Sequence, residues 1–497
     1  MTDESEQARS GITRRQAIGG AAAGAAGLAL PDVATAREPR ARRGRRRRSA
    51  DVAIVGAGFA GLTAARELQK AGKSVLVLEA HERVGGRSFS PEIGEAPGEV
   101  GNMGATFAGT AQKRILALAR EMGVGKFPTY NKGKNVFYFD GRRDTYTGSI
   151  PPVSPVALGE LALLLPRLNE MARQVPLDAP YEAARANEWD GQTFETWKLA
   201  NAANRDTRKL LDLAAEAILS VQPRDISFLF FLFYIHSAGS VEQLIDTAGG
   251  AQEFQFEGGT QLIANELAQR IGRKRILLGG RVQSITQKNG QVELLTRHHL
   301  VRAQRVIVAI PPTLAGRIAY KPRLPALRDQ LTQRMPMGSV VKTIGVYDKP
   351  FWRDKGLTGM VTSDKGPVKV TFDTSPERGR PGVLMGFIDG QDARELTKKS
   401  DDERAKDVLA SYATYFGGEA LSPQQYFDRT WDTDIFSRGA PVGVFPPGVL
   451  TGFGSALRAP VELIHWAGTE TATEWNGYMD GAVQSGERAA REVLGAL

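Results

Sequence analysis

The sequence predicts an α/β protein of more than one domain, and three observations carry that expectation. A short apolar run, Asp51-Val52-Ala53-Ile54-Val55, leads through a cluster of glycines into Leu62, Ala65 and Leu68 at helical spacing, and a second β-branched run follows from Ser74 to Leu78. That order reads as strand, turn, helix, strand. Further along, a leucine-rich helical stretch (Val156 to Leu168) and an uninterrupted apolar run (Phe228 to Ile235) break into a β-rich pattern. Finally, 497 residues with 42% hydrophobic and 24% charged side chains exceed one ordinary core while keeping a globular composition.

Several function classes fall away at once. The chain has no cysteine, which removes disulfides, thiolate metal sites, iron–sulfur clusters and cysteine nucleophiles. Its formal charge of +9 is concentrated: Arg37 to Arg48 hold eight arginines and one glutamate, residues 1–36 net −1, and the remainder nets +3. The basicity belongs to a tail, which argues against a nucleic-acid partner. Five histidines, His236 among them, show no metal-ligand spacing, so no metal is expected.

The first 36 residues read as an address. Arg14-Arg15 precede an uncharged run of 14 residues, Ala17 to Leu30, and then Ala34-Thr35-Ala36, which fits a small-residue cleavage site. This is the pattern of a twin-arginine export signal, and it is too short to span a bilayer, which takes roughly 20 apolar residues. Residues 37–49 are then a solvated basic linker, and 1–48 are left out of fold reasoning.

The glycine cluster is Gly56-Ala57-Gly58-Phe59-Ala60-Gly61, and Glu79 stands 23 residues after Gly56 at the end of the second β run. This is a dinucleotide-binding Rossmann unit: Gly56 makes the turn, Gly58 lets backbone amides approach a pyrophosphate, Gly61 lets helix pack on strand, and Glu79 meets a ribose hydroxyl. The anion sits on the helix N-terminus. The unit alone leaves nicotinamide and flavin open. The next motif, Arg83-Val84-Gly85-Gly86-Arg87, adds a second glycine turn flanked by cations, suited to a longer cofactor.

With Leu78-Glu79-Ala80 before it, that second turn resembles the FAD site of the flavin-containing amine oxidases. The resemblance recurs. Trp466-Ala467-Gly468-Thr469-Glu470-Thr471 and Trp475-Asn476-Gly477-Tyr478-Met479-Asp480-Gly481-Ala482-Val483 are similar to the monoamine oxidase segment that closes over the flavin. Gln252-Glu253-Phe254, Ala309-Ile310-Pro311-Pro312, Gly338-Ser339-Val340-Val341-Lys342 and Phe445-Pro446-Pro447-Gly448 fall between in the order that family uses, so the likeness runs from about residue 50 to the end. A helix starting near Met479 would aim its dipole at the pyrimidine end of the flavin.

The resemblance implies a FAD-binding domain from residues 50–126, 257–331 and 434–497, interwoven with a substrate domain of sheet and helices from 127–256 and 332–433. It implies cofactor contacts at Gly56, Gly58, Ala60, Gly61, Glu79, Arg87, Gly104, Ala105, Val282, Trp431, Gly468, Thr469, Glu470 and Met479. Lys342 matches the lysine that bridges through water to flavin N5, and alternation along Val340 to Val346 puts it on the face of apolar neighbours. Tyr478 matches one wall of the aromatic pair that sandwiches the amine. Pro441 stands where the second tyrosine is usual, and Ala440 where mitochondrial enzymes bear the cysteine bonded to flavin, so FAD is expected to be noncovalent. Gln252, Ile245 and Phe107 resemble substrate-cavity positions.

The implied activity is oxidation of an amine, expected to be primary, with oxygen becoming hydrogen peroxide. The implied partners are that amine and oxygen. Homodimers are common in the family, and no membrane anchor like that of the mammalian monoamine oxidases is expected. Two rivals stand beside this reading. Arg438, in place of a glycine, would pair with a carboxylate in an L-amino-acid oxidase if it faced inward. A FAD-binding scaffold without turnover is the other.

Overall fold

A computed structural model describes residues 45–93 and 98–497 of the chain. The export signal and most of the basic linker lie outside the described residues. Five parallel strands, in the order Ile464–Trp466, Arg305–Val308, Val52–Val55, Val75–Leu78, Ile276–Leu277, form the sheet on which the rest is arranged. Their register aligns Val55 with Leu78 and with Val308, and Val308 with Trp466, so the residues that follow these strands emerge along one edge. That is the crevice in which doubly wound sheets bind ligands.

Both faces of this sheet are covered, which is why its strands read as continuous apolar runs rather than alternating ones. The helices Phe59–Lys70, Thr260–Ile271 and Met479–Ala496 pack on one face around Val52, Ile54, Val75 and Val77. On the other face a second, five-stranded sheet contributes Ile285, Val292, Leu294 and Val301 to a core with Ala53, Val55, Leu76 and Leu78. At the edge of that second sheet lies the strand Arg46–Ser49, paired in parallel with His299–Ala303. This corrects the linker reading at its end. The four side chains are exposed as a solvated linker requires, but their backbone is hydrogen-bonded, because an edge strand tolerates any side chain that points to water.

The remaining sheet has seven strands, ordered Gln425–Thr430, Val340–Tyr347, Gly382–Asp389, Val370–Asp373, Leu357–Ser363, Lys134–Phe139, Arg142–Tyr146. The leucine-rich stretch falls in the helix Pro155–Arg173, begun by Ser154, whose side chain accepts from the Ala157 amide, and by Pro155 in the first turn. The run from Phe228 lies in the helix Phe228–Ala238, capped by Ser227. A helix apolar all round must be buried all round, and this one packs with Phe194, Trp197 and Trp189 at the centre of the largest core. In Val340–Tyr347 all eight residues are buried, so alternation there separates two covered faces rather than core from solvent. His236 is satisfied structurally, its Nδ1 lying 2.8 Å from the Val175 carbonyl.

Candidate active site

The glycine turn has the geometry its sequence asks for. Gly56 has φ 101° and donates its amide to the Leu78 carbonyl at 2.8 Å, tying the turn to the neighbouring strand. A Cβ on Gly61 would run into the Gly56 carbonyl oxygen, so only glycine lets the helix Phe59–Lys70 start this close to the strand. At Gly58 a Cβ would meet nothing within 4 Å, because that side opens into a cavity of about 520 Å³. Glu79 reaches back across the turn: its Oε2 accepts from the Ala57 amide at 2.6 Å and its Oε1 from the His81 amide at 2.8 Å. Burial raises the Glu79 pKa against the pull of those two hydrogen bonds.

Every residue expected at the site lines this cavity except Gly61, Glu470 and Ile245. Gly61 acts from behind the turn. Glu470 lies beneath Arg87, which donates to its two oxygens at 2.7 and 3.2 Å and to the Pro441 carbonyl at 2.6 Å. Ile245 ends the short helix Val241–Ile245 and packs, half-buried, against the aromatic core to which the cavity-lining Tyr234 and Ala251 also belong. Its neighbour in the pattern, Gln252, does line the cavity, donating Nε2 to the Leu244 carbonyl at 3.1 Å while its buried Oε1 has no partner.

Lys342 is 2% exposed. Its Nζ donates to the Gly104 carbonyl at 2.6 Å and to the Thr106 hydroxyl, and lies 5.1 Å from the centre of the Phe387 ring. Burial pushes its pKa well below the usual lysine value. Tyr478 stands at the start of the helix Met479–Ala496, held by Thr469, whose hydroxyl donates to its carbonyl at 2.8 Å. Its ring centre is 6.2 Å from that of Tyr234 and 5.1 Å from that of Trp475. Trp431 donates its indole N–H to the Met103 carbonyl at 2.9 Å, and the Arg429 guanidinium covers its ring. Arg438 is exposed and lines the cavity's outer part.

Sequence reasoning left out Tyr234, Phe387, Ser220 and Ile218, all on the cavity wall. Tyr234 belongs to an apolar run in which no single position stood out. Phe387 is opposite Lys342 across two antiparallel strands, a relation no local spacing reveals.

The donor set fits a flavin dinucleotide. Gly58, Arg87 and the N-terminus of the helix at Met479 face one continuous space, Glu79 lines it, and the Gln252 oxygen is unpaired at its wall. The family model for flavin-containing amine oxidoreductase matches residues 59–494. The chain belongs to that family. Among its relatives, a probable flavin-containing monoamine oxidase A of Dictyostelium discoideum is 40% identical over 90% of this chain and 98% of its own. Human flavin-containing amine oxidase B is 36% identical, covering 90% of this chain and 86% of its own. Among solved structures, putrescine oxidase bound to putrescine superposes with a TM-score of 0.87 at 31% identity over 90% of this chain and all of that one. Cyclohexylamine oxidase from Brevibacterium oxydans does so with 0.86 at 31%, over 90% and 99%. As a flavin-containing amine oxidoreductase this chain uses FAD, and with no cysteine it makes no cysteinyl bond to it. Among the described residues no group of side chains could hold a metal and no helix is long and apolar enough to cross a membrane.

Proposed function

We propose that the enzyme oxidises primary monoamines to aldehyde and ammonia with release of hydrogen peroxide. The observation that carries this reading is the placement of Lys342 and Tyr478 on the wall of the same cavity as the dinucleotide cradle. Bound FAD supplies the two-electron acceptor for the carbon beside the nitrogen and passes those electrons to oxygen, after which the imine hydrolyses. The protein's own work is positioning, desolvation and charge. Tyr478 and the neighbouring Tyr234 would supply an aromatic wall for the amine, and Pro441, on the same cavity lining, would leave more room than a tyrosine. Gly104, Arg87 and Gly468, on the cavity lining, would hold the cofactor, and Lys342 is fixed on the same lining by two acceptors.

The amino-acid oxidase reading is the weaker one. A carboxylate beside Tyr478 would need a free cation. Lys342 is committed to Gly104 and Thr106 and Arg87 to Glu470 and Pro441, which leaves Arg438, exposed while lining the cavity, as the cation that reading would have to use. FAD-loaded protein is expected to release peroxide and aldehyde in equal amounts from aralkylamines and none from L-phenylalanine or L-leucine; turnover confined to amino acids reverses the assignment.

The same proposal includes export as a folded holoprotein through the twin-arginine route, supported by Arg14-Arg15, the uncharged run and the Ala34-Thr35-Ala36 site. Changing Arg14 and Arg15 to lysine is expected to retain the protein in the cytoplasm; unchanged export of that variant contradicts it.

A further inference from the structure

One buried carboxyl lies behind the cavity wall without a part in the chemistry described so far. In the antiparallel pair Val340–Tyr347 and Gly382–Asp389, Lys342 is opposite Phe387 and Val340 is opposite Asp389. Residues directly opposite share a face, as do residues two apart on one strand. Asp389 therefore points the same way as Val340, Lys342 and Phe387, all of which line the cavity. It is screened from that space by Ser220, which lines the wall itself and donates its hydroxyl to Asp389 Oδ1 at 2.7 Å.

Ser220 is fixed. It follows the helix Arg205–Leu219 with φ 55°, donates its amide to the Glu216 carbonyl at 2.7 Å and accepts from the Ser339 amide at 2.9 Å. A Cβ added to Gly338 would lie 2.6 Å from the Ala440 carbonyl oxygen and 3.3 Å from Ser220 Cβ, so Ser220 adjoins the wall that continues into Pro441. Around Asp389 are Glu216 on the Ser220 helix, Asp392 on the helix that follows Asp389, and Lys369, which pairs with Glu216 at 2.9 Å and Asp392 at 2.8 Å. Arg394 reaches the Ser339 hydroxyl at 3.5 Å, and Asp432 accepts weakly from the Val340 amide at 3.4 Å. Burial raises the Asp389 pKa to about 7, opposed by the Ser220 hydrogen bond and reinforced by Glu216.

An alkylamine arrives as an ammonium, and only its neutral form has the lone pair that oxidation requires. Resting on the amine-oxidation reading above, we propose that Ser220 and Asp389 are the proton exit for the incoming substrate. The ammonium N–H bond breaks and its proton bonds to Ser220 Oγ, while the Ser220 O–H proton moves to Asp389 Oδ1. A neutral amine and a neutral carboxylic acid result. The exchange removes two opposite charges from a low-dielectric space, which is the direction burial favours.

The test is the pH dependence of anaerobic flavin reduction by an aralkylamine in the parent, Asp389→Asn and Ser220→Ala holoproteins, each matched for flavin content and absorption spectrum. The parent is expected to gain rate as pH rises through about 7. Both variants should instead follow the amine's own ionisation, at least about tenfold slower near pH 7 and converging with the parent near pH 10. A loss by one constant factor at every pH means packing alone and overturns the proposal. A readout independent of turnover is the infrared carbonyl band of a protonated carboxyl, which should titrate near neutrality in the substrate-free parent and be missing in Asp389→Asn; its persistence in the variant also overturns it. Failure of any amine to reduce the parent flavin would instead remove the amine-oxidation reading, and the relay with it.

Discussion

Replacing Lys342 with methionine is expected to slow reoxidation of the reduced flavin by oxygen about 100-fold while changing flavin reduction by amine little. Oxygen accepts an electron before it accepts a proton, so its reduction develops negative charge beside buried side chains, where one fixed N–H donor is worth more than in solution. On the proposed reading Lys342 would be the donor for that charge, held by the Gly104 carbonyl and the Thr106 hydroxyl. Amine oxidation does not build an anion at that point, which is why the two half-reactions separate. Stopped-flow reduction and reoxidation measured on one preparation decide the matter: equal reoxidation rates in variant and parent take Lys342 out of this role. The same substitution has a signature in stability. The folded pKa of Lys342 lies below its usual 10.5, so between those values the unfolded chain binds the extra proton and parental stability climbs with pH. The methionine variant lacks that slope, and its stability relative to the parent should therefore decline as pH rises toward 10.5.

Arg87→Ala should be the most damaging single change to the fold near the cofactor. It strands the Glu470 carboxylate, whose side chain is 0% exposed against 22% for Arg87, and frees the Pro441 carbonyl. Removing one partner of a buried pair costs about 3–5 kcal/mol, because the charge left behind has neither water nor a counterion. The Gly443 amide, 3.3 Å from Glu470 Oε1, is too weak a donor to compensate. Chemical denaturation should register that loss together with weaker FAD retention, and adding Glu470→Gln should recover much of the stability but not the FAD. A loss under about 1 kcal/mol would show that water reaches Glu470 once Arg87 is gone.

What was legible in the sequence was whatever the chain states within a few residues. The turn Gly56 to Gly61 sits on contiguous atoms, and a helix starting at Met479 follows from the glycine-rich stretch before it. Positions set by register or by rotation of an element were not legible. Phe387 comes to Lys342 only because two strands 45 residues apart pair in one register, and Asp389 comes to lie behind the same wall by the next step of that register. Ile245 shows the converse: its place in a motif says nothing about which way the short helix Val241–Ile245 turns. Arg46–Ser49 was hidden by composition, since an arginine run looks solvated whether or not its backbone pairs.

The central claim is that one cavity holds the flavin and presents an amine to it. Anaerobic addition of an aralkylamine to the FAD-loaded protein tests this directly, read as the visible absorbance of the oxidised flavin. Stoichiometric bleaching, with colour restored by air and no bleaching by L-phenylalanine, is the predicted result. A flavin that stays oxidised with every amine offered would contradict it.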